Sequence, residues 1–375
     1  MSGDRPTRRS FLQGQASAPH WPATPQDPAG IPNDDGGAEE VARASSPPLA
    51  VDRSMLLVSV RRRAMACEFE VQLAAAREDD SMEHVFAALD LVEALEAQMT
   101  VYRDDSEVLR INRHAASQPT PVEPRLFAIF QQAAKWYRDT LGAFDITSGP
   151  LSEVWGFSRR EGRVPSDEDL AAARMRVGMK HVVLGEAERT VAFRQPGVTV
   201  NINSVGKGYA LDRMAELLAE HEVDDYLLHG GKSSVLARGD RPGCMGEGWA
   251  IGLRHPLRPQ ERIAEFALHD QALATSGSGT QFFIRRGRRY GHILDPRTGQ
   301  PAEGLFSATV IAPTAAEADG LSTAFYVMGP EAVGRYCETH LEIAALLVGP
   351  AEREGDICLF AFNLAEGQWR QLAER

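Results

Sequence analysis

Short apolar segments at close spacing fill residues 181–268 and limit the folds open to this chain. They are rich in Val, Ile, Leu and Phe, as β-strands are. Most gaps between them are too short for the helix that joins two parallel strands, which favours an antiparallel or mixed sheet over a doubly wound one. Strands are predicted over residues 181–184, 191–194, 198–202, 225–228, 234–237, 249–253 and 263–268.

Segments with helical periodicity flank these strands. One of them has Pro124 at its start and Gly142 just after its end, and Thr314 precedes Glu317 at the spacing of a capping box. The class is therefore α+β, with mixed or antiparallel sheets and packed helices. Helices are predicted over residues 82–99, 124–140, 166–177 and 211–220, and from 314 onward.

The N-terminal segment has a different composition from the rest of the chain. It is rich in Pro, Gly, Ser, Asp and Ala and lacks periodicity, so we predict disorder over residues 1–54 and a folded domain over residues 55–375. Residues 7–12, with Arg8 and Arg9, resemble a twin-arginine export signal, but no apolar stretch follows them. The location stays open: exported or periplasmic if that segment functions, and cytoplasmic otherwise.

Charge and composition exclude several classes of protein. The formal net charge of −12 argues against a nucleic-acid partner. No run approaches the ~18 apolar residues of a membrane-spanning helix, so no integral membrane segment is predicted. The four cysteines contain no C-x-x-C pair, which argues against a zinc site, and they are too few for a disulfide framework.

A glycine-bearing junction, residues 204–208, lies between the predicted strand 198–202 and the following helix. Backbone N–H groups at a helix start point outward without partners and suit an anion, and Lys207 adds a positive charge. The pattern is neither a P-loop nor a dinucleotide-binding fingerprint, because Gly208 follows Lys207 and Leu211 stands where a third glycine should be. An ordinary strand–helix turn remains the alternative.

The helix that starts at Thr314 carries a second candidate. Asp319 and Thr323 are four residues apart and share one helix face, and their hard oxygens suit Mg²⁺ or Ca²⁺. Alternatively, Thr323 bonds back to the carbonyl of residue 319 and Asp319 only favours the helix N-terminus. His292 can exchange a proton near neutral pH, although a structural role is equally compatible with its position.

Residues 230–234 are interpreted as a loop that lets the backbone approach a ligand or, alternatively, as a bulged connection between two strands. Residues 274–278 are interpreted as a second small polar loop. The segment between 282 and 290 contains four arginines and is predicted to form a hairpin that turns at Gly287. The arginines themselves are interpreted as a solvated turn.

Taken together, these motifs resemble the ApbE family of flavin transferases, over roughly residues 58–350. They occur in the family's order along the chain, and the set is specific although each motif alone is weak. The segments that carry the resemblance are residues 144–151 with 155–157, 201–212, 230–231, 274–277, 292–299 and 312–323.

The resemblance implies a fold of two subdomains with FAD between them, so that residues 55–375 form a flavin transferase domain. It also implies a Mg²⁺-dependent reaction that moves the FMN moiety of FAD onto a threonine or serine hydroxyl of an acceptor protein and releases AMP. The implied acceptors are electron-transfer proteins. Two alternatives remain: a pyrophosphatase that splits FAD into FMN and AMP, and a non-catalytic FAD-binding protein.

By position in the family's motifs, Asp319, Thr323 and the carbonyl of Gly206 are expected to bind the metal. Lys207 is expected to neutralise a phosphate, and His292 to handle the proton of the attacking hydroxyl or, alternatively, only to orient the diphosphate. Asp212 is expected to bond a ribose or to hold the loop. The positions expected near the flavin or its adenosine are Met65, Tyr102, Asp145, Lys207, Asp212, Ser276, Gly277 and His292.

The chain departs from the family's pattern in places. Asn201 stands where the family usually has aspartate, and Lys232 where it usually has an acidic residue. The first change removes a negative charge near the expected site and the second reverses one. If the family's acids at these two positions contact FAD or the metal, FAD affinity or the choice of acceptor is expected to differ. Loss of catalysis is not implied, because Asp319, Thr323, Lys207 and His292 are retained.

Overall fold

An eight-stranded sheet, in which every neighbouring pair is antiparallel, forms the centre of the fold. The computed structural model describes residues 56–75, 78–277, 279, 281–353 and 355–372, so the predictions for residues 1–54 lie outside the described part. In spatial order the strands are β1 (Leu57–Ala64), β2 (Cys67–Ala74), β6 (Tyr226–Gly230), β7 (Ser234–Arg238), β10 (Ala272–Gly277), β13 (Ser307–Ala312), β14 (Ala344–Pro350) and β15 (Ile357–Phe362).

Helices cover one face of this sheet and enclose the main hydrophobic core. Helix α7 (Ala315–Met328) lies on the central strands β7, β10 and β13, and α6 (Gly206–Glu220) packs between α1 (Glu78–Met99) and α7. Phe69 of β2 and Phe325 of α7 are fully buried in this core, and each such side chain contributes roughly 1.5–3 kcal/mol. The helices are α1 (Glu78–Met99), α3 (Pro124–Asp139), α6 (Gly206–Glu220), α7 (Ala315–Met328) and α8 (Pro330–Thr339).

A small three-stranded sheet covers the opposite face. It consists of β8 (Trp249–Arg254), β9 (Arg262–Leu268) and β16 (Trp369–Gln371). Its buried Trp249 and Phe266 belong to a second core together with residues of β7 and β14. Every residue of β13 is buried, because this central strand is covered on both faces.

A third hydrophobic cluster surrounds Trp155. It joins α4 (Gly149–Val154), α5 (Asp167–Arg174) and the hairpin of β11 (Phe282–Arg285) and β12 (Arg288–Gly291). The remaining elements are α2 (Glu107–His114) and a small sheet of β3 (Thr120–Pro121), β5 (Thr190–Phe193) and β4 (Val182–Gly185).

The structure confirms the α+β class and several predicted elements. Helix α3 begins at Pro124, and Thr314 caps α7 by accepting the N–H of Glu317. The hairpin turns at Gly287, whose φ of 78° is the left-handed conformation that glycine favours. No helix in the described ranges is long and apolar enough to cross a bilayer.

The strand predicted over residues 198–202 is wrong, although its alternation is real. Val198 and Val200 are fully buried, but the backbone of Val200 pairs with a side chain instead of a strand. The Asn112 amide accepts from the Val200 N–H at 2.7 Å and donates to its carbonyl at 2.9 Å. A single amide group thus satisfies the backbone groups that a neighbouring strand would otherwise bond.

The loop predicted over residues 274–278 is also wrong, because residues up to Gly277 belong to β10. Small and hydroxyl-bearing residues fit a central strand here because α7 lies directly against it. Helix α1 begins at Glu78, earlier than the predicted residue 82.

Candidate functional site

The N-terminus of α6 meets α7 at a buried carboxylate. The N–H of Gly208 donates to Asp319 Oδ2 at 2.7 Å, and Lys207 Nζ lies 3.6 Å from the same oxygen. A Cβ at residue 208 would lie 2.0 Å from the carbonyl oxygen of Ala315, so only glycine lets the helices approach this closely. Of the N–H groups predicted to suit an anion at this junction, that of Gly208 binds a carboxylate of the protein itself, Asp319.

The second oxygen of Asp319 is held from the sheet. Ser234 Oγ, at the start of β7, donates to Asp319 Oδ1 at 2.6 Å, and Ser234 is fully buried. Asp319 itself is only 4% exposed. Charge-assisted hydrogen bonds of this kind are short and hold the acceptor in one orientation. The carboxylate is thus fixed by a backbone amide, a hydroxyl and a nearby ammonium group.

Three hydroxyl groups meet where β10 packs on α7, within one helical turn of Asp319. Ser276 Oγ lies 2.8 Å from Ser322 Oγ and 3.1 Å from Thr323 Oγ1. Thr323 also donates to the Asp319 carbonyl at 3.4 Å, which is the back-bonded arrangement expected as the alternative to metal binding. At that length the bond is weak. Gly277, the next residue of β10, is half-buried.

Asp212 stabilises the junction from the α6 side. Its two carboxylate oxygens accept the N–H groups of Ala315 and Ala316 at 2.7 and 2.8 Å, so it caps the first turn of α7. Burial raises the pKa of Asp212 to about 6, and these two N–H donors oppose the rise. Each of the two helices therefore supplies a carboxylate that accepts backbone N–H groups of the other. Asp212 of α6 accepts those at the start of α7, and Asp319 of α7 accepts that of Gly208 in α6. These contacts correspond to the role of holding the loop.

His292 follows β12 and is held at the open end of the hairpin. Its backbone N–H donates to the carbonyl of Gln281 at 3.2 Å, and its Nδ1 lies 3.1 Å from the same oxygen. Because a carbonyl only accepts, Nδ1 carries the proton and Nε2 keeps its lone pair in the neutral ring. Burial lowers the pKa of His292, the Gln281 bond opposes this shift, and the charge of Lys207 adds to it.

Met65 occupies the tight turn between β1 and β2. Its φ is 49°, and its N–H donates to Glu96 Oε2 at 2.8 Å, which fixes the turn against α1. The neighbouring Cys67 thiol has a pKa raised by burial and lowered in part by the charge of Lys207. The geometry agrees, since a Cβ at Gly231 would lie 3.2 Å from Cys67 Cβ and one at the adjacent Gly230 would lie 3.4 Å from Lys207 Cβ.

Tyr102 and Asp145 are placed differently from each other. Tyr102 is 71% exposed, and its hydroxyl lies 3.4 Å from the carbonyl of Ser158. Asp145 is buried, and its Oδ1 accepts both the N–H and the hydroxyl of Thr147. Burial raises the pKa of Asp145 to about 6. Among the described residues, neither side chain has a hydrogen bond or ion pair with Asp319.

The two departures from the family pattern lie at the edge of this site. Asn201 Oδ1 accepts the N–H of Asn203 at 2.9 Å, and the Asn201 N–H donates to the carbonyl of Ile146 at 2.7 Å. Lys232 is exposed in the tight connection between β6 and β7, directly before the segment that carries Ser234. Asn201 therefore has a local structural role, whereas the Lys232 charge faces solvent.

The donor set around Asp319 fits a hard divalent cation. Carboxylate and hydroxyl oxygens are available from Asp319, Thr323 and Ser276, and Mg²⁺ prefers such ligands. Each Asp319 oxygen accepts one hydrogen bond, which leaves further lone pairs. Gly206, the buried first residue of α6, is two residues from the Gly208 contact. Within the described ranges, no three His, Cys, Asp or Glu side chains form a metal-binding group, so a site here would combine the Asp319 carboxylate with hydroxyl and carbonyl oxygens.

Sequence reasoning missed three residues that hold this site: Ser234, Gln281 and Glu96. Ser234 lies in a segment that we interpreted as a ligand-binding loop, but no local sequence pattern links it to Asp319, 85 residues away. The Gln281 carbonyl, at the base of the hairpin, is hydrogen-bonded to His292. Glu96, on α1, accepts the N–H of Met65. Their roles depend on tertiary contacts that no short motif encodes.

The ApbE family model matches residues 65–347. A Vibrio cholerae protein named FAD:protein FMN transferase is 34% identical over 64% of this chain and 72% of its own length. An Escherichia coli protein of the same name is 32% identical, over 68% of this chain and 73% of its own.

Solved structures have the same fold. The ApbE protein from Thermotoga maritima superposes with a TM-score of 0.72 at 29% identity, covering 80% of this chain and 97% of that protein. The flavin transferase ApbE from Vibrio cholerae gives a TM-score of 0.72 at 28% identity, covering 82% of this chain and 97% of that protein.

Proposed function

The chain belongs to the ApbE family, and from that premise we propose that it transfers the FMN moiety of FAD, with Mg²⁺, to a threonine or serine hydroxyl of an acceptor protein and releases AMP. Flavin transfer to protein is the activity that the names of its relatives give. The observation that carries the proposal is the buried Asp319 carboxylate, fixed 3.6 Å from Lys207 on a helix whose next turn brings two hydroxyl groups against a third from β10. That arrangement suits a cation and a diphosphate together.

Asp319, Thr323 and the carbonyl of Gly206 are the proposed ligands of Mg²⁺. The bound ion would offset the negative charge that accumulates on the diphosphate during phosphoryl transfer. Lys207 would add a second positive charge on the same substrate group. The half-buried position of Lys207, 3.6 Å from Asp319, supports this pairing because water does not fully screen its charge there.

His292 is the proposed general base. The acceptor hydroxyl oxygen attacks the phosphorus on the FMN side of FAD, the bond from that phosphorus to the AMP oxygen breaks, and AMP leaves. The hydroxyl proton passes to His292 Nε2, whose lone pair is free because Nδ1–H is committed to Gln281. A lowered pKa keeps this ring neutral near pH 7 and therefore able to accept the proton. The alternative role, orientation of the diphosphate alone, requires no proton transfer.

The remaining expected residues divide into contacts and supports. Four uncharged residues on turns and strand ends are proposed to contact the flavin or its adenosine, because none of them carries a charge that needs a partner inside the protein. They are Met65, Tyr102, Ser276 and Gly277. Asp212 and Asp145 are instead proposed to hold the site in shape, because their carboxylates already accept hydrogen bonds. Asp212 accepts the N–H groups of Ala315 and Ala316, and Asp145 accepts the N–H and hydroxyl of Thr147.

One incubation tests the proposal against its alternatives. The protein is mixed with FAD, Mg²⁺ and a candidate electron-transfer domain, and acceptor mass and free AMP are followed together. Equal amounts of AMP and FMN-modified acceptor support transfer. AMP with free FMN and an unmodified acceptor would indicate a pyrophosphatase, and tight FAD binding without AMP would indicate a binding protein.

Ser234→Ala should weaken Mg²⁺ binding more than it slows the reaction. Loss of the 2.6 Å bond frees one oxygen of Asp319 to rotate, and groups that orient a metal ligand are typically worth about 10–100-fold in metal affinity. The measurement is AMP release against Mg²⁺ concentration, in which half-saturation should rise about 10-fold or more while the plateau changes little.

Ser233→Ala is the matched control. It removes the adjacent hydroxyl, which makes no side-chain hydrogen bond to any residue in the described ranges, so its Mg²⁺ curve should overlay that of the wild type. Identical curves for all three proteins would show that Ser234 does not orient a metal ligand.

A further inference from the structure

The hairpin of β11 and β12 forms a two-stranded sheet of its own. In the described ranges its two strands pair only with each other. One face is fixed by aromatic contacts: Phe283 stacks on Tyr290 with ring centroids 5.1 Å apart, and Phe283 also lies 5.5 Å from Phe157. Glycine at residue 162 allows this close packing, because a Cβ there would lie only 2.7 Å from the Phe283 ring. The hairpin is therefore anchored to the Trp155 cluster and holds its other face outward.

The outward surface combines positive charge with exposed apolar groups. Ile284 is 65% exposed and Phe282 is 44% exposed, and the guanidinium of Arg289 lies 4.0 Å from the Phe282 ring centroid. Arg285 and Arg286 are exposed at the tip and form no salt bridge with any residue in the described ranges. Arginine and exposed aromatic residues together are typical of protein–protein hot spots, whereas a solvated turn has no need of the apolar groups.

A shallow cavity opens at the tip of this hairpin. It measures about 400 Å³ and is lined by Val164, Arg285, Arg286, Arg288 and Tyr290. Arg288 also forms a 2.8 Å ion pair with Glu303, so a carboxylate already binds at its edge. The adjoining loop adds further exposed arginines, namely Arg159, Arg160 and Arg163. In a chain of net charge −12 this concentration of arginine is a local exception, and it is complementary to acidic groups.

The hairpin leads directly to the candidate catalytic residue. Gln281 precedes β11, His292 follows β12, and the two are hydrogen-bonded to each other at the open end. About five residues separate Gly287 at the tip from His292, or roughly 17 Å along a strand. A partner bound at the tip would therefore need about five residues of extended chain to reach His292.

We propose that this arginine hairpin, residues 282–291 with Val164, docks an acidic segment of the acceptor protein, about five or more residues from the hydroxyl that receives FMN. The inference rests on the proposed function, since only a protein substrate needs a docking surface outside the FAD site. Arginine binds carboxylates through paired N–H donors, which gives orientation as well as affinity. The exposed Ile284 and Phe282 favour a polypeptide over a nucleic acid or a membrane surface.

A binding experiment tests the surface without relying on activity. The probe is a fluorescein-labelled twelve-residue peptide of alternating acidic residues and glycine, titrated with the full chain at low salt. Arg285→Glu with Arg286→Glu should weaken binding by about 10-fold or more, because two attractive contacts become repulsive. The control is Arg254→Glu with Arg353→Glu, which reverses two exposed arginines outside the hairpin and should change the Kd by less than about 2-fold.

Other outcomes of this experiment would overturn the proposal. Equal Kd values for the hairpin variant and the wild type would exclude the hairpin, and equal weakening in both variants would indicate a general charge effect. Tighter binding of anionic phospholipid vesicles or of a single-stranded oligonucleotide than of the peptide would assign the surface to a membrane or a nucleic acid.

A transfer assay separates this inference from the proposed function. With an acceptor domain that gains FMN, the hairpin variant should raise the acceptor KM by about 10-fold and leave the Kd for FAD unchanged. An unchanged acceptor KM would disprove docking while the transferase activity stands. A wild-type protein that modifies no acceptor, and whose AMP release needs none, would refute the transferase proposal and the docking role together.

Discussion

Asp319→Asn should abolish Mg²⁺-dependent flavin transfer while the protein stays folded. The amide keeps the shape of the side chain but removes its charge and places an NH₂ group where Gly208 N–H or Ser234 Oγ donates. We expect kcat/KM to fall at least about 1,000-fold, the equivalent of about 4 kcal/mol, because the metal would lose its only carboxylate ligand. The measurement is acceptor mass gain and AMP release across a Mg²⁺ titration.

Glu317→Gln provides the control on the same helix. It also removes one negative charge from the first turns of α7, but its carboxylate lies 3.4 Å from the Trp136 indole N–H instead of beside Lys207. Its activity should stay within a few-fold of the wild type. Retained metal-dependent turnover in Asp319→Asn, with normal FAD binding, would remove Asp319 from the proposed metal site.

The parts of the fold that sequence predicts correctly are those fixed by local chemistry. Thr314 and Glu317 are three residues apart, so the start of α7 is encoded within one helical turn. Gly287 likewise sits at the hairpin turn because that turn needs a left-handed conformation. In both cases the residues that decide the structure are neighbours in the chain.

The wrong assignments depend on partners far away in sequence. Residues 198–202 alternate as a strand does, but the Asn112 side chain, 88 residues away from Val200, supplies the pairing. Ala274, Thr275 and Ser276 have the composition of a loop, yet all three pair with β13, and Ala274 also pairs with β7 on the other side. Only the three-dimensional register determines such pairing.

The candidate site shows the same division. Lys207 and Asp319 are predictable from motif order, and the structure brings them to 3.6 Å. What the motifs do not show is that Asp319 accepts the Gly208 N–H, or that Ser234 holds its other oxygen. The glycines therefore act here through close helix packing, because a side chain at residue 208 would collide with Ala315.

His292→Ala should lower kcat by about 100- to 10,000-fold, the usual contribution of a positioned general base, if His292 accepts the proton of the attacking hydroxyl. The acid limb of the wild-type pH profile is the more specific test of this role. Burial lowers the pKa of His292 below its ordinary 6.5, so the neutral base form persists to lower pH. Activity should therefore be lost only as pH falls through that lowered pKa.

Lys207→Met tests the same assignment through a neighbouring charge. The positive charge of Lys207 contributes to lowering the His292 pKa, so its removal should raise that pKa and move the acid limb of kcat/KM to higher pH. Loss of a phosphate contact would reduce the rate at every pH without displacing the limb, which separates the two effects. If the limb stays fixed in Lys207→Met and persists in His292→Ala, another group carries the proton, and His292 only orients the diphosphate.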